Sequence, residues 1–407
     1  MTRHPRTTAA AHTVPPLGTR PPANPRARLN TQPPARPRAT LNTRATLSAL
    51  PTRRALLTGL AALSTAGTLS ACSNGLASRG AGGGSDHGGA GGDANTITVG
   101  LTYIPNVQFS AFYLGEDAGI FADHGLTVTI RHHGEQEDLF GALLAGREDA
   151  MYASADEGVV ATANGQRIFT FATAYQQYPI ALIGPDKSAL PADASATNGG
   201  AESPDVDASR GLQVMKGKTI GIPGRYGSTY YAALAALKLA GLTEQDVTLS
   251  EIGFTQLASL EAGHVDFIMG FVNNEAVQLR AAGNDPLIIP LRDADGEVLV
   301  GPSLLTHPTR ENSKNLRALS DALREAEQAV KANPDAALDA TAKRVPALVD
   351  PAARDSAKAV LEATMPLWEI DGEITTDPPF TTMERMTGFL VDAEIIPTAP
   401  DATSIRV

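Results

Sequence analysis

The chain has 407 residues, 33 basic and 44 acidic side chains, a formal net charge of −11 and one cysteine. A single cysteine excludes an intramolecular disulfide and a cysteine-built metal cluster. All ten arginines ahead of Cys72 precede the first acidic residue, Asp86, so the chain beyond Cys72 carries 23 basic against 44 acidic residues, a net charge of −21 that disfavours nucleic acid and anionic lipid as partners.

Residues 1–50 are rich in Pro, Thr, Ala and Arg and lack apolar periodicity, as expected of a disordered leader or an over-long gene start. Residues 51–72 read as an export signal: Arg53 and Arg54 ahead of Leu56 and Leu57, an apolar run to Leu69, and small residues before Cys72. The arginine pair resembles a twin-arginine signal. Leu69-Ser70-Ala71-Cys72 resembles a lipobox, whose cysteine would be lipidated and hold the mature chain on the outer face of the cell membrane. Residues 73–95, mostly Gly, Ala and Ser, read as a flexible tether.

The globular part opens with a strand over 97–103, a turn at Ile104-Pro105-Asn106, a helix, and a second strand over 126–130. In open α/β sheets ligands sit beyond the carboxyl ends of strands, so this turn is a candidate ligand shelf, with Asn106 and Phe109 on its edge. A helix over 138–145, a strand over 149–153, a helix from Asp156 to Gly165 and a strand over 167–174 continue a parallel βα pattern. His132 and His133, adjacent on a strand, point to opposite faces and are poorly placed to share a metal, so no metal is expected and His133 is a candidate cleft residue.

Two segments end alike, 175–185 and 298–302, each in Gly-Pro, and are read as two hinge crossings between lobes. The lobes are predicted as 96–182, then 183–300 with a disordered insertion over 187–211, then a mostly helical return to the first lobe over 301–396, with a tail over 397–407. The second lobe is expected to hold strands over 219–222, 247–252, 265–269 and 287–290 separated by helices. An internal echo supports two similar lobes: Ala145-Gly146-Arg147-Glu148-Asp149 matches Ala262-Gly263-His264-Val265-Asp266. It makes Asp156-Glu157 equivalent to Asn273-Asn274, each pair at a strand's carboxyl end. C-terminal helices are predicted over 309–332, 334–344, 351–365 and 381–392, all packing on the first lobe, with Trp368 as core.

The candidate ligand contacts are therefore Asn106, Phe109, His133, Asp156, Glu157, Tyr175, Gln176, Tyr178, Phe254, Asn273, Asn274 and Glu275. Amides donate and accept while rings stack, a set suited to a planar, neutral or weakly basic heterocycle. Arg225, Tyr226 and Ser228 lie on the turn before a helix and form the candidate anion site, because free amides at a helix N-terminus attract negative charge.

Tyr103-Ile104-Pro105-Asn106, Phe112-Tyr113-Leu114-Gly115, Ala118-Gly119-Ile120-Phe121 and Gly125-Leu126-Thr127-Val128 together resemble the opening of the SsuA/THI5-like (NMT1) family. The resemblance runs to about Ile396. It implies a bilobed α/β fold of the periplasmic-binding-protein type II class and a monomeric lipoprotein that delivers a small ligand to the membrane permease of an ABC importer. The ligands it implies are thiamine pyrimidine precursors or flavin-like compounds, with alkanesulfonates as the alternative. The family's THI5 branch holds pyrimidine-synthesising enzymes with a cysteine-rich motif. With Cys72 as its one cysteine, this chain is expected to be a binding protein without catalytic residues or cofactor.

Overall fold

A computed structural model describes residues 95–134, 137–189, 208–310 and 314–401. The expected leader, signal with Cys72, nearly all of the tether, most of the insertion and the end of the tail lie outside the described residues.

The first sheet begins with β1 (Thr96–Leu101), β2 (Thr127–His132), β3 (Ala150–Ser154) and β4 (Phe169–Thr173). The chain then crosses to a second sheet of β5 (Ile180–Gly184), β6 (Thr219–Ile222), β7 (Thr248–Glu251), β8 (Phe267–Phe271) and β9 (Leu287–Pro290). After a short ribbon of β10 (Arg292–Asp293) and β11 (Gly296–Glu297), it returns through β12 (Pro302–Thr306). A second ribbon, β13 (Glu369–Ile370) with β14 (Glu373–Ile374), follows near the C-terminus.

The sheet orders are β2-β1-β3-β12-β4 and β7-β6-β8-β5-β9. They are the same order, each with one strand inserted from the other half of the chain. The parallel βα reading holds for the strands that follow helices, with β1 parallel to β2 and β3, and β6 parallel to β7 and β8. The inserted strands differ: β12 is antiparallel to β3 and β4, and β5 is antiparallel to β8 and β9. A strand that arrives straight from the opposite lobe enters the sheet from the end where its neighbours leave. Because β5 begins at Ile180, the chain enters the second sheet before, not after, Leu182.

The internal echo has a structural counterpart. Asp149 returns to β1, its Oδ2 accepting from Thr98 N at 2.8 Å and its own N donating to Thr98 O. Asp266 does the same to Thr219 at the start of β6, also at 2.8 Å. The glycines of the two matched segments, Gly146 and Gly263, both sit at φ +69° and end their helices in the left-handed region that favours glycine.

Helices cover both sheets. In the first half these are α1 (Ser110–Asp117), α2 (Ile120–Asp123), α3 (Gly141–Leu144) and α4 (Ala155–Ala163). The second half adds α5 (Ala208–Leu212), α6 (Gly227–Ala240), α7 (Gln256–Glu261) and α8 (Glu275–Ala281). The C-terminal run is α9 (Lys314–Ala332), α10 (Pro334–Ala342), α11 (Pro351–Thr364) and α12 (Phe380–Asp392). Two of these start on a capping side chain followed by proline: Asn333 accepts from Ala336 N and Asp350 from Ala353 N.

Helices α9, α10 and α11 pack on the first sheet in one core with Phe112, Tyr113, Leu319, Leu361 and the fully buried Trp368. The last helix departs from the expectation for the C-terminal helices. Its buried face of Met383, Met386 and Leu390 joins the second core, beside Leu299 and Val300 of the return crossing and Ala155 and Val159 of α4. The crossing itself supplies the apolar surface, and Val300 N donates to the Met386 sulfur at 3.1 Å.

Candidate functional site

The carboxyl ends of β1 and β3 and the loops after β6 and β8 open onto one cavity of about 670 Å3. That volume is in the range of small-molecule sites. Its first-lobe wall includes Tyr103, Gln108, Phe109, His133, Phe140, Tyr152, Ser154, Glu157 and Tyr175. Its second-lobe wall includes Tyr226, Ser228, Tyr231, Phe254, Gln256, Phe271, Asn274 and Glu275. The lobes touch at the rim, where the Tyr103 and Phe254 rings meet edge to face with centroids 4.7 Å apart.

The turn after β1 shapes the first wall. Asn106 caps the short helical turn Val107–Phe109, its side chain accepting from Gln108 N at 3.2 Å. Asn106 therefore serves its own turn and is absent from the cavity wall. What it positions is Phe109, which meets the Tyr152 ring edge-on at 5.9 Å. Tyr152 lies in the middle of the sheet and reads in sequence as core; its place in β3, beside the cleft, brings it to the cavity.

His133 is buried and tied to Glu148, its Nε2 2.8 Å from Oε1, while Arg131 Nη1 donates to the same oxygen at 2.6 Å. His132 turns the other way, to Tyr103 O and the Tyr113 hydroxyl, each at 2.9 Å. Burial holds its imidazole below the usual histidine range.

Glu157 joins the lobes. It closes the capping box of α4, Oε2 accepting from Ser154 N at 2.8 Å, and its Oε1 accepts from Ser228 N at 2.9 Å in the second lobe. Ser228 stands at the start of α6, after Gly227 at φ +74°. Burial pushes the Glu157 carboxyl up to about 7. In the second lobe Glu275 plays the matching part: Oε2 accepts from Phe271 N at 2.8 Å and Oε1 from the Asn274 side chain at 3.2 Å. The lobe equivalence thus pairs Glu157 with Glu275, a shift from the pairing of Asp156-Glu157 with Asn273-Asn274 read from the echo. Burial also raises the Glu275 carboxyl.

Several candidates face away from the cavity, each because the fold uses its polar group. Asp156 is fully buried and accepts from the Tyr178 hydroxyl at 3.0 Å; burial, then the charge of Glu157, raises its carboxyl well above the usual range. Tyr178 is spent on that contact and on Glu297, which accepts from its backbone N at 2.7 Å. Gln176 donates to Thr173 O at 2.7 Å and Thr375 O at 2.9 Å, fastening the crossing to the C-terminal segment. Asn273 is fully buried, with Nδ2 donating to Thr364 Oγ1 at 2.8 Å and to the Tyr175 hydroxyl at 3.4 Å. Arg225 is half-exposed and pairs with Glu244 and, at 3.8 Å, with Glu251.

Of the expected contacts, Phe109, His133, Glu157, Tyr175, Tyr226, Ser228, Phe254, Asn274 and Glu275 line one cavity. The wall also carries Glu137 and Asp138. Among the described residues that line it there is no lysine and no arginine. The site therefore offers rings, amides, hydroxyls and carboxyl groups, with backbone amides already taken up by Glu157 and Glu275.

The family model described as NMT1/THI5 like matches residues 106–192 and 207–337. A riboflavin-binding protein, RibY, from Chloroflexus aurantiacus is 32% identical over 285 residues, which is 67% of this chain and 73% of that protein. Among solved structures, the alkanesulfonate-binding protein SsuA from Xanthomonas axonopodis pv. citri bound to MOPS aligns with a TM-score of 0.55 at 16% identity, over 77% of this chain and 99% of that one. The aliphatic sulphonate binding protein SsuA from Escherichia coli aligns with a TM-score of 0.54 at 12% identity, over 77% and 92%. At such identities these two likenesses show the fold, two mixed α/β sheets of the periplasmic-binding-protein type II class. The chain belongs to the NMT1/THI5-like family.

Proposed function

We propose that this chain is the extracytoplasmic solute-binding component of an ABC importer, closing its two lobes on a planar, uncharged heterocycle of the flavin type. The observation that carries the reading is the cavity wall: aromatic rings and amides from both lobes, four acidic side chains, and no lysine or arginine among its described residues. The relative that binds riboflavin supports the same class. An anion such as an alkanesulfonate would find no opposite charge there, because Arg225 is committed to Glu244 and Glu251.

In this reading Phe109, Tyr152, Tyr226 and Phe254 supply ring faces and edges. Gln108, Gln256 and Asn274 supply both donors and acceptors for a heterocycle's polar edge. The buried carboxyl groups of Glu157 and Glu275 keep lone pairs for ligand N–H or O–H groups. Hinge closure about the two crossings completes the wall and presents the closed form to a permease. Lipidation at Cys72 would keep the chain at the outer face of the membrane, and the protein acts as a monomer without catalysis.

The test is a thermal-shift and fluorescence-quenching titration of the chain from Ser73 onward against riboflavin, thiamine, its pyrimidine precursors and small sulfonates. A ligand at a hundred times its Kd adds about 2.7 kcal/mol of stability. Riboflavin is expected to raise the melting temperature and to lose fluorescence on binding. A response to sulfonates alone would refute the proposal.

A further inference from the structure

Helix α6 runs for 14 residues and starts at the cavity wall with Gly227 and Ser228. The first amides of such a helix lack partners within it and carry the positive end of its dipole, so an anion is expected there. In this chain the anion is internal. Glu157 reaches across from α4 and its Oε1 accepts from Ser228 N at 2.9 Å. The approach is close enough that a Cβ placed on Gly227 would stand 3.1 Å from that oxygen. Its other oxygen is held by Ser154 N, so the carboxylate is fixed at both ends and cannot swing aside without losing a bond.

An independent observation concerns charge. Asp138 and Glu275 stand on the same wall with Glu137, and no lysine or arginine lines it among the described residues. Arg131, itself outside the wall, pairs with Glu137 and with Glu148, and Arg225 pairs with Glu244 and Glu251.

We propose that Glu157 is a specificity-determining residue: its carboxylate is a resident counter-anion at the start of α6, so the site takes an uncharged heterocycle and rejects the same ring carrying a phosphate or sulfonate. This rests on the flavin-type reading of the cleft. A phosphate ester entering the closed site meets Glu157 where it would need α6 amides, and finds like charge on the remaining wall. Riboflavin and its 5′-phosphate differ by that one group and so isolate the effect.

The experiment measures Kd for riboflavin and riboflavin 5′-phosphate at pH 8.5, above the range in which burial keeps a proton on Glu157, by quenching of flavin fluorescence, in the wild-type chain and in Glu157→Gln, Glu157→Ala and Glu157→Asp. Wild type is expected to prefer riboflavin at least tenfold. That ratio is expected to fall toward unity in Glu157→Gln and Glu157→Ala and to persist in Glu157→Asp, which keeps the charge. The ratio is the readout because weaker lobe closure would move both Kd values together. Equal binding of the two flavins by wild type, or an unchanged preference in the two neutral variants, would overturn the inference while leaving the flavin reading in place. Binding of neither flavin by wild type would overturn that reading, and this inference with it.

Discussion

Tyr103 and Phe254 are the most direct probe of lobe closure, because each ring belongs to a different lobe and they meet at 4.7 Å with planes at 61°. Both are partly buried. An edge-to-face pair contributes about 0.5–1.5 kcal/mol beyond the apolar area it hides. Truncating Phe254 to Ala also removes a half-buried ring, so Phe254→Ala is expected to weaken ligand binding by about 1–2 kcal/mol, roughly five- to thirtyfold in Kd. Tyr103→Ala is expected to act similarly. If the rings hold the closed state by touching one another, the double variant loses less than the sum of the two, by about 1 kcal/mol. Riboflavin titrations of the four proteins measure this coupling, with melting temperatures of the unliganded proteins as the control for folding. Additivity within about 0.3 kcal/mol would refute the view that this contact closes the cleft.

Other consequences follow from the same geometry. Gly100→Ala would drive a Cβ into the Glu148 carboxyl group, which is buried and already holds Arg131 and His133; a loss of about 1–3 kcal/mol is expected, and an unchanged melting temperature would contradict it. Arg225→Ala removes surface ion pairs worth at most about 1 kcal/mol and should leave ligand affinity within about twofold; a tenfold loss would return Arg225 to the site. The Glu157 carboxyl, pushed up to about 7 by burial, keeps its proton in the folded state up to about pH 7 and is a carboxylate above it, whereas the unfolded chain gives that proton up nearer the ordinary range. Its contribution to stability is therefore full in acid and is lost as pH rises through about 7. Glu157→Gln removes this term, so its stability relative to wild type should rise between pH 5 and pH 8, by up to about 3 kcal/mol. A pH-independent difference in denaturant midpoints would show that Glu157 titrates normally.

The fold was legible where the signal is local. Strand-to-helix alternation sets β1 to β4 and β6 to β9 by periodicity alone, and the repeated Ala-Gly-x-x-Asp segments mark two helix ends and two aspartates in matching places, which bond to β1 and to β6. The direction of β5 and β12 was not legible, since it depends on which lobe the chain comes from rather than on the residues within the strand. The position of α12 was hidden for a related reason. Its Met383, Met386 and Leu390 face is apolar in any reading, and the partner that covers it is the return crossing at Leu299 and Val300, far away in sequence.

The site divides along the same line. Rings at strand ends, such as Phe109 and Phe254, were legible because their place follows from the strand that carries them. Polar residues were harder, because the groups that suit a ligand are those a fold needs for its own ends. Asn106 caps a turn, Gln176 fastens a crossing, Asn273 bonds Thr364, and Asp156 bonds Tyr178. Only the partners separate Asn273 from Asn274 and Glu275, one and two residues on, or Asp156 from Glu157, all three of these neighbours being on the wall. The same holds for charge. Arg131 goes to Glu148, Arg225 to Glu244, Arg344 to Glu116 and Asp117, and Arg385 to Asp293. Each pairing is non-local, and none of these guanidinium groups is among the described residues that line the cleft. Which charges line the cleft is thus set by these pairings, which the sequence could state only as a list of arginines.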